Sequence, residues 1–208
     1  MRRVPQSTAT KVMRAAELFA ERGLDNTKVD DIAAVTGVPQ ATLYYYFEGK
    51  EEILSYIFGV VLDAVAAAVA GALEQPGSGA ERLARAIEAH LGVFAEYPKA
   101  SQALHFDLGR AARRPEIAAR TANAYIDPVA AVLRAGVDDG SLRAVADPRV
   151  TAVTLLGATS TAAIHALAID PTAADPLESL SKVAGAVVSL ALEGLRAGSS
   201  TEAKRREE

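Results

Sequence analysis

The sequence predicts an all-α protein, and its composition is the first reason. Alanine is abundant, aromatic residues make up 5 % of the 208 residues, and tryptophan is absent. Alanine favours helices, whereas β-sandwiches are rich in β-branched and aromatic residues. Apolar residues also recur at helical spacing between glycine and proline breakers. Because cysteine is absent, a disulfide scaffold, a thiolate zinc site and a cysteine nucleophile are excluded. We expect a globular protein of one large or two small domains.

The first helix is expected from about Thr8 to Arg22, with Gly23 as its stop. Its inward stripe consists of Val12, Ala16 and Phe19. The residues from Arg2 to Thr8 are expected to form a short, disordered arm. No apolar segment of the signal-peptide type follows the N-terminal arginines, so we expect a cytoplasmic location.

The chain is organised around the stretch from Thr27 to Lys50, which predicts two short helices joined by a tight turn. Thr27 is expected to cap the first of them, with Asp30 as its capping-box-like partner. Gly37 can adopt the left-handed backbone that ends a helix and turns the chain. The inward face of this helix carries Val29, Ile32 and Ala33.

Pro39 is expected to open the second of these helices, because its φ is already close to the helical value. Leu43 and Phe47, four residues apart, would face inward. The outward face would then carry Gln40, Thr42, Tyr44 and Tyr45. Two helices with a short glycine-containing turn form a helix-turn-helix, whose second helix enters the DNA major groove. The alternative is a small helical core with exposed tyrosines, which three consecutive tyrosines disfavour.

Between Thr10 and Leu54, the stretch AAELFAERGLDNTKVDDIAAVTGVPQATLYYYFEGKEEIL resembles the DNA-binding domain of the tetracycline-repressor (TetR) family of transcriptional regulators. The resemblance implies a homodimeric, ligand-responsive repressor that binds a double-stranded DNA operator. Pro39 and Asp30 depart from the family pattern, which commonly has a capping serine and a basic residue there. These differences bear on the operator sequence rather than on the binding mode.

The predicted DNA-binding residues are Lys28, Gln40, Ala41, Thr42, Tyr44, Tyr45, Tyr46 and Lys50. Glutamine can pair with adenine, and threonine and tyrosine hydroxyls can reach phosphates. The net charge of −4 does not by itself indicate a nucleic-acid binder. A groove-reading surface needs only local positive charge, however. The candidates to supply it are Arg2, Arg3, Lys11, Lys28 and Lys50.

The sequence predicts a helix-turn-helix domain over residues 1–50 and a larger helical ligand-binding and dimerisation domain over residues 51–208. A long helix from Lys50 to about Leu73 would link them. After the loop Gln75–Gly79, a capping box of Ser78 and Glu81 opens the next helix, which runs to about Glu96. Further helices are expected from Pro98 and from Pro115, the latter ending near Gly136.

Two apolar helices are expected at the C-terminal end, from Val150 to Ile169 after an Asp147 cap and from Pro176 to Ala197. The first nearly reaches the length of a membrane span, but its threonines favour a helix buried on most sides of a protein, and no membrane association is expected. Small residues would let the helices of two copies approach closely. These predicted dimer-interface residues are Gly157, Ala158, Gly185 and Ala186. The alternative is a helix pair within one chain.

No catalytic, phosphate-binding or metal-binding motif is recognisable, so the sequence predicts no enzyme, no cofactor and no metal site. What remains is an apolar helical body suited to a small-molecule effector with few polar anchors. The candidate ligand-binding residues are Phe94, Tyr97, His105, Leu108, Tyr125 and His165. The alternatives are a helical small-molecule-binding module that does not bind DNA, a constitutive DNA-binding protein, and an enzyme built on the second domain.

Overall fold

Every regular element in the part of the chain described by the computed structural model, residues 3–111, 113–169 and 176–195, is a helix. The all-α prediction is therefore confirmed. In chain order the helices are α1 (Gln6–Val12), α2 (Ala16–Arg22), α3 (Val29–Thr36), α4 (Gln40–Tyr46), α5 (Lys50–Glu74), α6 (Gly79–Glu96), α7 (Pro98–Phe106), α8 (Leu108–Ala111), α9 (Pro115–Thr121), α10 (Asp127–Asp138), α11 (Pro148–Ile169) and α12 (Pro176–Leu195). A 3₁₀ turn (Met13–Ala15) joins α1 to α2, and a π-helical turn (Ala122–Ile126) joins α9 to α10.

The chain divides into two compact units. The first consists of the chain up to Ala64 together with Glu96–Arg120, and the second consists of Val65–Ala95 together with the chain from Thr121 onward. Helix α5 therefore contributes residues to both units. The boundary at residues 50 and 51 stays a prediction, and the division into compact units differs from it, because 96–120 lies with the N-terminal part of the chain.

In the first unit, α2 packs on α7, and α3 packs on the 3₁₀ turn and on α4. The predicted inward stripe of Val12, Ala16 and Phe19 is buried. Helix α1 begins at Gln6, so residues 6–8 are helical and the prediction of a flexible arm there is wrong. Arg120 of α9 is held against α5, because its Nη2 donates to the Gly59 carbonyl at 3.0 Å and to the Asp63 carboxylate at 2.6 Å.

In the second unit, α11 packs on α10, on α12 and on the π-helical turn. Helix α6 begins with the predicted capping box, since the Ser78 N–H donates to the Glu81 carboxylate at 2.8 Å and the Glu81 N–H donates to the Ser78 hydroxyl at 3.3 Å. Asp147 caps α11 by accepting from the N–H groups of Arg149 and Val150 at 2.8 and 3.1 Å. The buried stripe that α6 contributes consists of Leu83, Ile87, Leu91 and Phe94.

Two helices are long and apolar enough to cross a membrane by length and composition, α5 and the Pro148–Leu167 part of α11. Core helices of soluble proteins share these properties, so the finding carries little weight alone. The prediction that α11 is buried on most sides is wrong for the single protomer, because Val150 is 61 % exposed and Val153 is 48 % exposed. A sequence reveals how apolar a helix is, but not how many of its faces the rest of the chain covers.

Candidate nucleic-acid interface and effector site

The turn between α3 and α4 is held by hydrogen bonds around one buried threonine. Gly37 has a left-handed backbone with φ of 64°, and its N–H donates to the Ala33 carbonyl at 3.0 Å. The Thr36 hydroxyl donates to the Ile32 carbonyl at 2.6 Å and accepts from the Val38 N–H at 3.3 Å. The left-handed position explains why glycine stands there. The two helices of the motif are thereby joined in a defined orientation.

Helix α4 has one buried face and one exposed face. Leu43 is 1 % exposed and, with the buried Phe47 just beyond the helix, anchors it to the unit. Tyr44 and Tyr45 are 56 % and 57 % exposed. Of the other predicted DNA-binding residues here, Gln40 and Ala41 are exposed, and Thr42 and Tyr46 are half-buried. The side chains predicted to read DNA thus include the most exposed ones of the helix.

The starts of α3 and α4 differ from the prediction in detail. Thr27 does not cap α3, because the helix begins at Val29 and the buried Thr27 hydroxyl instead donates to the Gly23 carbonyl at 2.7 Å. The carboxylate that reaches back belongs to Asp31 rather than Asp30, and it accepts from the N–H of the residue before the helix at 3.4 Å. Pro39 precedes α4 with an extended ψ of 142° and is not its first residue.

The lysines near the motif differ in their surroundings. The Lys50 ammonium donates to the backbone carbonyls of Asp25 and Thr27, at 3.1 and 3.0 Å, which occupies two of its three N–H donors. Lys28 is exposed beside α3, and Arg3 and Lys11 are exposed as well. Arg2 lies outside the described residues. Lys50 therefore holds the loop between α2 and α3, and its contact with a phosphate stays a prediction.

Arg110 of α8, a residue distant in sequence, also holds this loop. Its guanidinium donates to both carboxylate oxygens of Asp25, at 3.1 and 2.9 Å, and its Nε lies 3.1 Å from the Asp107 carboxylate. The hydrogen bonds and charge of Arg110 lower the pKa of Asp25, whereas burial raises the pKa of Asp107. No sequence pattern signals this cluster, because its partners are 85 residues apart.

Two of the predicted ligand-binding residues in the second unit meet around a histidine that was not among them. The ring centroid of His90 lies 5.4 Å from that of Phe94 and 4.8 Å from that of Tyr125. All three side chains are buried. Burial lowers the pKa of His90 to about 4 and raises the pKa of Tyr125. The signal that could have identified His90 is its position four residues before Phe94, on the buried face of α6.

The other candidate ligand-binding residues lie elsewhere. His165 is exposed and lines a groove of about 660 Å³ between α11 and α12. Tyr97 and His105 belong to the first unit and are half-buried, and burial lowers the pKa of His105. Leu108 also belongs to the first unit, but its side chain lies outside what the structure describes. A role in ligand binding stays a prediction for all of these residues.

The predicted dimer-interface residues lie on exposed parts of α11 and α12. Ala158, Gly185 and Ala186 are exposed and Gly157 is half-buried. A Cβ atom added at Gly157 or Gly185 would meet no atom of the protomer within 4 Å. Leu190 on α12 is 72 % exposed. The two helices therefore present an apolar surface with open space beside its glycines. Among the residues that the structure describes, no cluster of histidine and carboxylate side chains is close enough to hold a metal ion.

Comparison with known proteins gives the same family over both parts of the chain. Residues 13–57 match the model of bacterial regulatory proteins of the tetR family, and residues 76–164 match that of the tetracyclin repressor-like C-terminal domain. The HTH-type transcriptional repressor KstR2 of Rhodococcus jostii is 47 % identical over 49 residues, which is 24 % of each chain. The fatty acid metabolism regulator protein of Bacillus subtilis is 31 % identical over 81 residues, 39 % of this chain and 42 % of that protein.

One solved structure extends the likeness to almost the whole chain. The ketosteroid transcriptional regulator KstR2 of Mycobacterium tuberculosis superposes with a TM-score of 0.73 at 22 % identity, covering 94 % of this chain and 98 % of that one. At this identity the match shows the fold alone. The aligned parts of the two sequence relatives are less than half of their own lengths.

Proposed function

Because this chain belongs to the tetracycline-repressor (TetR) family of bacterial regulatory proteins, we propose that it is a homodimeric repressor released from a palindromic operator by a small apolar or aromatic effector. Members of this family are DNA-binding transcriptional regulators, mostly repressors, and not enzymes. They work in the cytoplasm, where bacterial DNA is.

The observation that carries the proposal is the exposed face of α4. Gln40, Tyr44 and Tyr45 stand out from a helix whose opposite face is fixed by buried Leu43. A rigid helix with exposed amide and hydroxyl groups suits a major groove, where glutamine pairs with adenine and hydroxyls reach phosphates. Lys28 is exposed at the start of α3 and can contribute a phosphate contact.

A dimer accounts for the exposed apolar surface of α11 and α12. Monomeric soluble proteins seldom leave large apolar patches in water, and Val150 and Leu190 are both more than half exposed. Glycines at 157 and 185 would allow the helices of two copies to pack closely. A twofold dimer presents two copies of α4, so its operator should be a near-palindrome with half-site centres about 34–36 Å apart, or a multiple of this.

An apolar effector suits the second unit, where Phe94 and Tyr125 are buried around His90. The names of the relatives favour the same chemistry, since one is a ketosteroid regulator and another a fatty acid metabolism regulator. Helix α5 can transmit effector binding because it contributes residues to both compact units. The effector can shift DNA affinity only by its differential affinity for the two states, typically ~1–3 kcal/mol.

The test is selection of a binding site from random duplex DNA, followed by affinity measurements over a range of salt concentrations. We expect a near-palindromic sequence and an affinity that falls steeply with salt, because phosphate contacts release counterions. A selected site without symmetry would contradict the dimeric repressor. Failure to enrich any sequence would favour the module that binds small molecules but not DNA.

Effector response requires a second measurement on the same protein. Once an effector is identified, its affinity should be weaker in the presence of operator, by the same factor by which it weakens operator binding. Equal effector affinity with and without operator would leave a constitutive DNA-binding protein.

A further inference from the structure

We propose that His90 and Tyr125 form the polar end of an effector site in the second unit, and that they select a neutral apolar molecule carrying a carbonyl or hydroxyl oxygen. The inference rests on the proposed function, because it names the class of effector and the groups that recognise it. It concerns binding alone, so it can be tested without operator DNA.

The two side chains meet inside the second unit. Their ring centroids are 4.8 Å apart at an interplanar angle of 52°, and the ring of Phe94 is tilted against His90 with a centroid distance of 5.4 Å. Tyr125 lies in the π-helical turn between α9 and α10. Such turns are rare in proteins overall, but those that occur are often found at functional sites. The widened turn redirects a side chain.

Each of the two residues has a buried polar atom that the rest of the described chain does not satisfy. Neither the Nδ1 atom of His90 nor the hydroxyl of Tyr125 has a hydrogen-bond partner among the described residues. The Thr159 hydroxyl lies close enough to the Tyr125 hydroxyl to offset part of the rise in the Tyr125 pKa that burial causes. It donates to the Leu155 carbonyl at 2.7 Å, however, and its position relative to the Tyr125 hydroxyl falls outside hydrogen-bond geometry. Buried polar groups are normally paired, so two unpaired atoms on neighbouring rings indicate a missing partner.

A ligand oxygen between the two side chains would satisfy both atoms. A carbonyl oxygen has two lone pairs and can accept from the Tyr125 hydroxyl and from a protonated Nδ1 of His90. A hydroxyl can accept from Tyr125 and donate to an unprotonated Nδ1. The apolar remainder of the ligand is expected because α6 and α10 contribute mainly aliphatic residues to the core of this unit. These include Leu83, Ile87, Val129 and Leu133.

The site favours a neutral ligand. Burial lowers the pKa of His90 and raises the pKa of Tyr125, so both groups are uncharged near neutral pH. A ligand carboxylate would lose its hydration without gaining an opposite charge from either group. Arg82, whose Nε is also buried without a hydrogen-bond partner, lies about two turns earlier on α6, about 12 Å along the helix axis. The charge of Arg82 acts on Asp139, whose pKa it helps to lower.

Three probes of similar shape separate these contributions. Benzylacetone carries a ketone, hydrocinnamate carries a carboxylate in its place, and isopentylbenzene carries only carbon there. Their affinities for the full-length protein can be measured by ligand-observed NMR titration. We expect benzylacetone to bind more tightly than hydrocinnamate. The preference for the ketone is the ratio of the affinity for benzylacetone to the affinity for isopentylbenzene. This ratio should fall roughly tenfold in Tyr125→Phe and in His90→Leu, which corresponds to one lost hydrogen bond.

Thermal unfolding of the same variants without a probe distinguishes a ligand site from a structural hydrogen bond. Tyr125→Phe removes a buried hydroxyl that lacks a partner, so the melting temperature should stay the same or rise. Ser101→Ala serves as the control, because it removes another buried hydroxyl that lacks a partner, in the first unit, and should leave the preference for the ketone unchanged.

Three outcomes would overturn the inference. They are a melting temperature lowered by Tyr125→Phe, an unchanged preference for the ketone in both variants, and no binding of benzylacetone to the wild type. Operator binding without a probe is measured in parallel. Its absence in the wild type would count against the proposed function alone, whereas normal operator binding with no oxygen preference would count against this inference alone.

Discussion

Single side chains of α4 differ sharply in exposure although they are neighbours in sequence. Leu43 is buried, and Tyr44, the next residue, is more than half exposed. A helix turns by 100° per residue, so adjacent positions face different surroundings. Substitutions at the exposed positions should therefore change recognition without changing the core.

We expect Gln40→Ala and Tyr44→Ala to weaken binding to a selected operator by ~1–3 kcal/mol for a side chain that reads a base. Fluorescence anisotropy with labelled operator measures the loss. Gln75→Ala is the matched control, because this glutamine is exposed in the loop after α5. Wild-type affinity in both α4 variants, with normal folding, would show that another surface contacts the DNA.

Variants of Lys50 and Lys28 test whether each lysine supports the loop between α2 and α3 or contacts a phosphate of the DNA. Lys50→Met removes two hydrogen bonds from a charged donor to carbonyls and should lower the free energy of unfolding by roughly 1–2 kcal/mol. Lys28→Met should leave it nearly unchanged, because Lys28 is exposed. Removal of a lysine that contacts a phosphate should reduce the slope of log affinity against log salt concentration by about one unit. An unchanged slope for Lys50→Met would restrict Lys50 to a structural role.

His90 should make the stability depend on pH. Its pKa is lowered from 6.5 to about 4 in the folded protein, so between these values the unfolded state binds the extra proton. Stability is then complete above the unfolded pKa and falls as the pH decreases towards the folded pKa. The expected loss between about pH 7 and about pH 5 is roughly 2 kcal/mol in urea unfolding. His90→Leu should lack this part of the pH dependence, and an equal slope in both proteins would contradict the assignment.

The packing of α6 on α10 depends on a glycine that no feature of the local sequence marks as necessary. Gly79, at the start of α6, lies against Gly136 of α10, and a Cβ atom added at Gly79 would come within 2.2 Å of the Gly136 Cα. A clash with backbone cannot be relieved by rotating a side chain. By contrast, a Cβ atom at Gly92, in the exposed middle of α6, would meet no atom within 4 Å.

Gly79→Ala should therefore lower the free energy of unfolding by about 1–3 kcal/mol through overpacking. Gly92→Ala should raise it by ~0.5–1 kcal/mol, because alanine has the higher helix propensity. Thermal or urea unfolding of the two variants gives the comparison. A stabilised Gly79→Ala protein would mean that α6 and α10 can separate at little cost.

At the scale of the whole molecule, we expect a second copy of the chain to cover the exposed apolar faces of α11 and α12. Gly157→Glu should place a charge in this interface, where it has no partner, and convert the dimer to a monomer at micromolar concentration. Sedimentation measures the change. Gly71→Glu is the control, because Gly71 is an exposed helical glycine that, like Gly157, has open space beside it. A wild-type protein that is already monomeric would exclude the dimer.

The sequence by itself determined the features that depend on neighbours a few residues away. The all-helical fold, the left-handed Gly37, the Ser78–Glu81 capping box and the Asp147 cap all follow from local backbone and side-chain chemistry. The division of α4 into buried and exposed faces follows from helical periodicity alone. Thr27 shows the limit of local reasoning, because its hydroxyl could bond forwards or backwards along the chain and only burial decided between them.

The tertiary structure alone decided the contacts between residues distant in sequence. Arg110 meets Asp25 across 85 positions, Gly79 meets Gly136, and His90 meets Tyr125. Each of these residues is compatible with many surroundings, because a helix specifies which residues share a face but not which other helix covers it. Relative helix positions come from the packing of the whole core. The exposed face of α4 could therefore be predicted from sequence, and the His90–Tyr125 pair could not.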